Sequence, residues 1–321
     1  MSDTDNDPFR VLRPEDHDTS DHYDAAPALA RLRDVAVPES FQNPEAAARY
    51  YQMDEDLEVA VNMAIAVGAP LLVTGEPGTG KTQVAWYLGR YFGTRVFPYQ
   101  VRSNATAEDL KYEFDAVGYL RTTREGAADA DAPRERFLQH RALWLAYRHE
   151  KPAVLLIDEI DKAPRDFPND LLLELAEHRF RHPLDPQQWI EPAGGPPIVV
   201  VTSNAERRLP DAFLRRCIVH HIELTDDLLK AAVAAHFSGE GGSFPRLPAA
   251  VKEAALARFA ELRREGRLSR RPATAELLTW LAILAARGVE EATLRRAPLG
   301  ELPALAALIK DHEDRRLLRG G

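Results

Sequence analysis

The chain has 321 residues, 45% hydrophobic and 28% charged, with 50 Asp and Glu against 41 Lys and Arg. That length buries a core readily and suits one large domain or two of ordinary size, while the acidic balance argues against a general affinity for nucleic acid phosphates and leaves only a local basic face open. Cys217 is the only cysteine, which excludes an intramolecular disulfide and a cysteine-based zinc site and fits a reducing cytoplasm; residues 1–20 lack a signal-peptide pattern, and no stretch reaches the length of a membrane span.

Residues 1–40 carry many Asp, Pro and Ser and few large apolar side chains, so they read as a loose tail, with 28–37 as a short docking helix. From Pro44 the pattern changes, and Leu57, Val61, Ala64 and Ile65 predict one face of a helix that stops at Gly68. Leu71 to Thr82 then reads LLVTGEPGTGKT, an apolar run, a glycine-rich loop and the opening of a helix whose apolar positions are Val84, Ala85, Leu88 and Phe92. Arg95 to Val101 predicts a strand, and Pro98 inside it places that strand at an edge or bulge. The polar and aromatic stretch from Ser103 to Thr123 is either an ordinary helix with its aromatics inward or a substrate-contacting loop. Residues 124–133 read as a linker, and 134–150 as a helix with Phe137, Leu138, Leu145 and Ala146 inward.

Ala153 to Ile157 is an aliphatic run of the kind buried on both faces of a sheet, and it ends in Asp158 and Glu159. A helix with Leu171, Leu172, Leu175 and Ala176 inward precedes a hairpin or loop over Phe180 to Gly195. Ile198 to Val201 is a second apolar strand, ending in Thr202, Ser203 and Asn204, and residues 218–224 make another. Strands alternating with helices imply a parallel sheet covered on both sides. From Thr225 the pattern is helical only, with segments at 228–237, 249–264, 275–287 and 302–318.

The chemistry follows from four of these places. Gly75, Gly80, Lys81 and Thr82 fit the phosphate-loop pattern G-x-x-x-x-G-K-[ST]. The glycines let backbone N–H groups turn around an anion, Lys81 reaches the β- and γ-phosphates, and the Thr82 hydroxyl holds Mg²⁺. Asp158 then serves as the Mg²⁺ carboxylate and Glu159 as the group that orients and polarises an attacking water. Asn204, an amide at the end of a strand, is either a γ-phosphate and water contact or an ordinary strand-to-turn residue. Arg215 and Arg216 are either a solvated face or a source of a guanidinium for a neighbouring subunit's site. His178 and His182 have the helical spacing of a metal pair but lack a third ligand, and the arginines between 263 and 271 form a basic patch.

With GEPGTGKT, LLIDEIDKA, VVTSN and LPDAFLRRC in this order, the chain resembles AAA+ ATPases, and among them the MoxR branch, from about Tyr50 to the C-terminal helices. The resemblance implies an α/β fold: a P-loop NTPase αβα sandwich with a five-stranded parallel sheet over residues 41–224, followed by a small all-α lid over 225–321. It implies that Gly75, Glu76, Pro77, Gly78, Thr79, Gly80, Lys81 and Thr82 are Walker A, Asp158 and Glu159 Walker B, Asn204 sensor 1, and Arg215 or Arg216 the arginine finger. It further implies ATP and Mg²⁺ as ligands, a hexameric ring, an insert near the ring pore at DLKYEFDAVGYL, the family's hairpin before the sensor-1 strand at 180–195, a protein client, and a separate von Willebrand A domain partner. One departure concerns sensor 2, where RRPATAELL places Glu276 and leaves Arg270 or Arg271 as the cation; a carboxylate there repels phosphates.

Overall fold

The computed structural model describes residues 26, 29–30, 39–124, 134–237 and 247–320. Nearly all of the expected tail and linker therefore lies outside the described residues. The described chain forms two compact units, one over residues 53–223 and one in which the residues up to 52 cluster with those from 224 onward.

The first unit is built on a five-stranded sheet in the order β2-β5-β8-β1-β9, all parallel. Its strands are β1 (Leu71–Gly75), β2 (Val96–Gln100), β5 (Val154–Asp158), β8 (Ile198–Ser203) and β9 (Ile218–Ile222). The aliphatic runs predict the burial: residues 154–157 of β5 and 199–203 of β8 are buried throughout, as central strands with both faces covered must be. β2, which carries Pro98, lies at the edge.

Helix α1 (Glu55–Val67) leads into β1; the Asp54 side chain accepts the Leu57 N–H at 2.7 Å, and Gly68 ends it at φ 65°. Its buried face is Leu57, Ala60, Val61 and Ala64, whereas Ile65, expected inward, is exposed because the i, i+3, i+4, i+7 stripe has already turned past it. Helix α2 (Lys81–Phe92) follows the phosphate loop.

The single helix expected over 134–150 is corrected by the structure. A 3₁₀ turn (Arg134–Phe137), strand β4 (Leu138–His140) and a shorter helix α3 (Ala142–Arg148) take its place. β4 pairs antiparallel with β3 (Tyr112–Phe114), which lies between short helices at Ala107–Lys111 and Ala116–Arg124 in the aromatic stretch. Cross-strand pairing overrides the helical periodicity that Leu138, Leu145 and Ala146 had suggested. The hairpin expected within 180–195 is present as β6 (Phe180–Arg181) against β7 (Trp189–Ile190), with the guanidinium groups of Arg179 and Arg181 both against the Trp189 ring.

The second unit contains α4 (Asp226–His236), α5 (Ala249–Arg264), α6 (Thr274–Ala286), α7 (Glu291–Arg296) and α8 (His312–Arg319). The continuous helix expected from 302 to 318 is instead interrupted, with one turn at Leu305–Leu308 before α8. Asp311 restarts the helix by accepting the N–H groups of Glu313 and Asp314. Phe259, Leu277, Trp280 and Leu294 form the centre of this unit, and the Trp280 indole donates to the Pro303 carbonyl at 2.7 Å. Among the described residues no helix is long and apolar enough to cross a membrane.

Candidate active site

The strand order sets β5, β8 and β1 side by side, so the segments following their C-terminal ends converge. In open α/β sheets that crevice is where ligands bind. The loop after β1 depends on its glycines: Gly75, Gly78 and Gly80 have φ of 151°, 83° and 94°. A Cβ on Gly75 would stand 2.9 Å from the Ile222 carbonyl oxygen. Glu76, Pro77 and Gly78 are exposed at the tip, whereas Thr79 is buried and its hydroxyl donates to the Glu76 carbonyl at 2.9 Å.

Lys81 is 6% exposed, and its Nζ donates to the carbonyls of Gly75 at 2.9 Å and Glu76 at 2.8 Å. Burial pulls its pKa below the ordinary lysine value, against the opposing pull of the carboxylates of Asp158, Asp161, Glu159 and Glu76. The ammonium is therefore poorly hydrated and surrounded by acceptors, the condition in which a phosphate gains most from it.

Thr82, in the first turn of α2, donates to Asp158 Oδ1 at 2.9 Å. This hydroxyl and carboxylate are hard oxygen donors, and together they fit Mg²⁺. Next to Asp158, Glu159 adopts a left-handed backbone with φ 60°, a conformation costing a non-glycine residue on the order of 1–3 kcal/mol. Its Oε1 accepts from the Asn204 amide at 3.3 Å, and its Oε2 accepts from Gln100 and from Lys162, both at 2.5 Å. The hydrogen bond to Glu159 is the largest factor raising the Lys162 pKa.

The structure thus brings Lys81, Thr82, Asp158, Glu159 and Asn204 together. It places Arg215 and Arg216 elsewhere, exposed just after the short helix Asp211–Leu214, where Arg216 donates to the Ala212 carbonyl at 3.1 Å. Arg271 belongs to the helical unit. There it lines a cavity of about 330 Å³ with Arg270, Glu276 and Lys310, and the Glu276 carboxylate accepts the Ala273 N–H at the start of α6. His182 Nδ1 accepts the N–H groups of Leu184 and Asp185, so that nitrogen serves the hairpin loop.

Four polar partners at these strand ends escape a reading of the motifs alone: Gln100, Asp161, Lys162 and Thr202. Gln100 has a sequence signal only through sheet register, which sets it opposite Asp158 across the β2–β5 pair. Thr202 has one too, because residues two apart on a strand share a face, and Asn204 lies two further on.

Residues 70–217, just under half of the chain, match the family model described as AAA domain (dynein-related subfamily). No curated protein matches the sequence. Among solved structures, a candidate ATPase from Cytophaga hutchinsonii is similar at 11% identity and TM-score 0.42, with 92% of this chain and 97% of that one covered. A Thermotoga maritima RuvB variant is similar at 17% identity and TM-score 0.37, over 73% of this chain and 68% of that one. Likenesses this distant carry no argument about function.

Proposed function

We propose, starting from the AAA domain at residues 70–217, that the protein binds and hydrolyses ATP and works as a MoxR-type remodeller of other proteins. The observation that supports this most is the convergence of the Lys81 ammonium, the Thr82–Asp158 oxygen pair and the Glu159–Asn204 pair at the ends of three adjacent strands. The loop N–H groups and Lys81 grip the β- and γ-phosphates, and the positive end of α2 faces the same charge. Thr82 and Asp158 would hold Mg²⁺, which supplies charge neutralisation on the phosphate oxygens. Glu159 orients water toward the γ-phosphorus, and Asn204 fixes the rotamer of Glu159 and touches the terminal phosphate.

In this reading copies of the chain form a ring, a hexamer by resemblance, and Arg215 or Arg216 of one copy neutralises charge at the next copy's site. Arg270 or Arg271 of the helical unit provides the lid cation, and turnover moves a protein client with the help of a von Willebrand A domain partner in the cytoplasm. Nucleic acid and membrane have no part in it. A second reading, a slow nucleotide-dependent scaffold, draws on the hold that Gln100 and Lys162 have on the Glu159 carboxylate.

Glu159→Gln separates the two. For an ATPase, the variant keeps ATP affinity, loses phosphate release and retains client and partner on purification in ATP. Equal, negligible turnover in variant and wild type, with ATP still bound, would leave the scaffold. Loss of neither binding nor association in Lys81→Ala would overturn both.

A further inference from the structure

We propose that Thr202 and Asp161 form a reciprocal clasp across the ends of β5 and β8 and act as positioning residues for Glu159 and Asn204. The inference rests on the reading of this site as an ATPase and deepens it. β5 and β8 are parallel neighbours in the register Ile157↔Val201, so the next residues, Asp158 and Thr202, sit side by side. Thr202 is 1% exposed. Its hydroxyl donates to Asp158 Oδ1 at 2.6 Å and accepts the Glu159 N–H at 2.9 Å. A hydroxyl has one proton, and here that proton is committed to the cation-binding carboxylate while a lone pair holds the backbone of the water-orienting residue.

That backbone needs holding, because Glu159 sits in the left-handed region and its N–H is aimed at β8 rather than along its own strand. Valine has the shape of threonine without the hydroxyl. It would leave the Glu159 N–H unpaired and take one of two donors from Asp158 Oδ1, loosening the backbone that aims Glu159 and the carboxylate beside it.

The other arm runs in the opposite direction. Asp161 is 3% exposed and lies just past β5, yet its carboxylate serves the chain after β8. Oδ1 accepts the Asn204 N–H at 3.2 Å and Oδ2 accepts the Glu206 N–H at 3.1 Å, spanning Ala205, which is itself left-handed at φ 58°. Both oxygens are used, so an asparagine, with one acceptor oxygen, can satisfy one of the two N–H groups. The Asn204 amide then closes the circuit on Glu159 Oε1. A residue of each strand end fixes the other strand's reacting group, so a shift at the amide that meets the γ-phosphate is passed to the carboxylate that meets water.

The test is steady-state ATP hydrolysis at saturating Mg²⁺ by the full chain and by Thr202→Val, Thr202→Ser and Asp161→Asn, the last also in an Asn204→Ala background. Thr202→Val is expected to lower kcat about 10- to 100-fold, the usual cost of removing a group that orients a metal ligand, with KM near wild type and a modest fall in melting temperature from the unpaired N–H. Thr202→Ser restores most of it. Asp161→Asn lowers kcat in the wild-type background and has no further effect once Asn204 is Ala, because it acts through that residue.

A second readout does not depend on turnover. Binding of a fluorescent ATP analogue to Thr202→Val requires several-fold more Mg²⁺ for half-saturation. Wild-type kcat in Thr202→Val, equal impairment of Thr202→Ser, or an Asp161→Asn effect that multiplies independently of Asn204 would overturn the clasp. Absence of wild-type turnover, by contrast, overturns the ATPase reading, and an unshifted Mg²⁺ requirement then overturns the Thr202 arm as well.

Discussion

Around Asp158, Glu159 and Asn204 the chain is held by a few polar side-chain contacts, most of them reaching across strand ends, and two residues there carry left-handed backbones. The interior of the helical unit is held otherwise, by Phe259, Leu277, Trp280 and Leu294, all fully buried and with many apolar neighbours. In the proposed ATPase, removing one atom from the first region misaims a reacting group as well as leaving an N–H unpaired. Removing one side chain from the second leaves a cavity and touches no chemistry directly. Aim and cohesion are thus separated along the chain.

The largest effect that would sharpen this contrast lies at the two exposed arginines. In the proposed ring, alanine at whichever of Arg215 and Arg216 reaches the neighbouring site lowers kcat by about 10³- to 10⁵-fold, and alanine at the other leaves it unchanged. Paired rate and melting measurements should show the loss without a change in melting temperature, since both side chains are exposed. A matching fall in stability would break the distinction.

Next comes Trp280→Ala, which removes a fully buried ring and its hydrogen bond to the Pro303 carbonyl. Denaturant titration should show a loss of about 3–5 kcal/mol in the transition reporting the helical unit. A loss under about 1 kcal/mol would mean that the interior is not the source of cohesion there.

A smaller effect depends on pH. His236 in α4 is buried against the Tyr50 ring, with centroids 4.8 Å apart, and burial holds its pKa down at about 4. The folded state resists the proton that the unfolded chain accepts near pH 6.5, so stability is full above that value and falls as pH drops toward 4. The whole drop is worth up to about 3 kcal/mol. His236→Phe should flatten the melting temperature between pH 7 and pH 4.5, and an unchanged slope would refute the assignment.

Much of the unit built on the five-stranded sheet is legible in the sequence, because its determinants are local. The aliphatic runs at 153–157 and 198–201, the glycines at 75, 78 and 80, and the Pro98 edge each act within a few residues. The β3–β4 pair is not legible. Leu138 can satisfy a helix or a strand, and only Tyr112–Phe114, more than twenty residues away, decides between them. Thr202 and Asp161 belong to the same class: their partners lie across strands, so a motif read along one segment ends at Asp158–Glu159 or at Asn204 and passes over the side chains that join them. The break in the last helix is local after all, since Asp311 is a ready N-cap in the middle of an apolar pattern that favours continuity.

The proline in β2 has a consequence for how copies of this protein meet. β2 bonds to β5 through residues such as Arg95, whose carbonyl takes the Val154 N–H, and Val101, whose N–H reaches the Asp158 carbonyl. By alternation the backbones of Val96, Pro98 and Gln100 face the open margin, and the middle one of the three has no proton to offer. A foreign strand laid there would find its ladder broken at the second rung. Strand addition at that margin is thereby disfavoured, which leaves β9 as the edge of the sheet with no proline in its ladder.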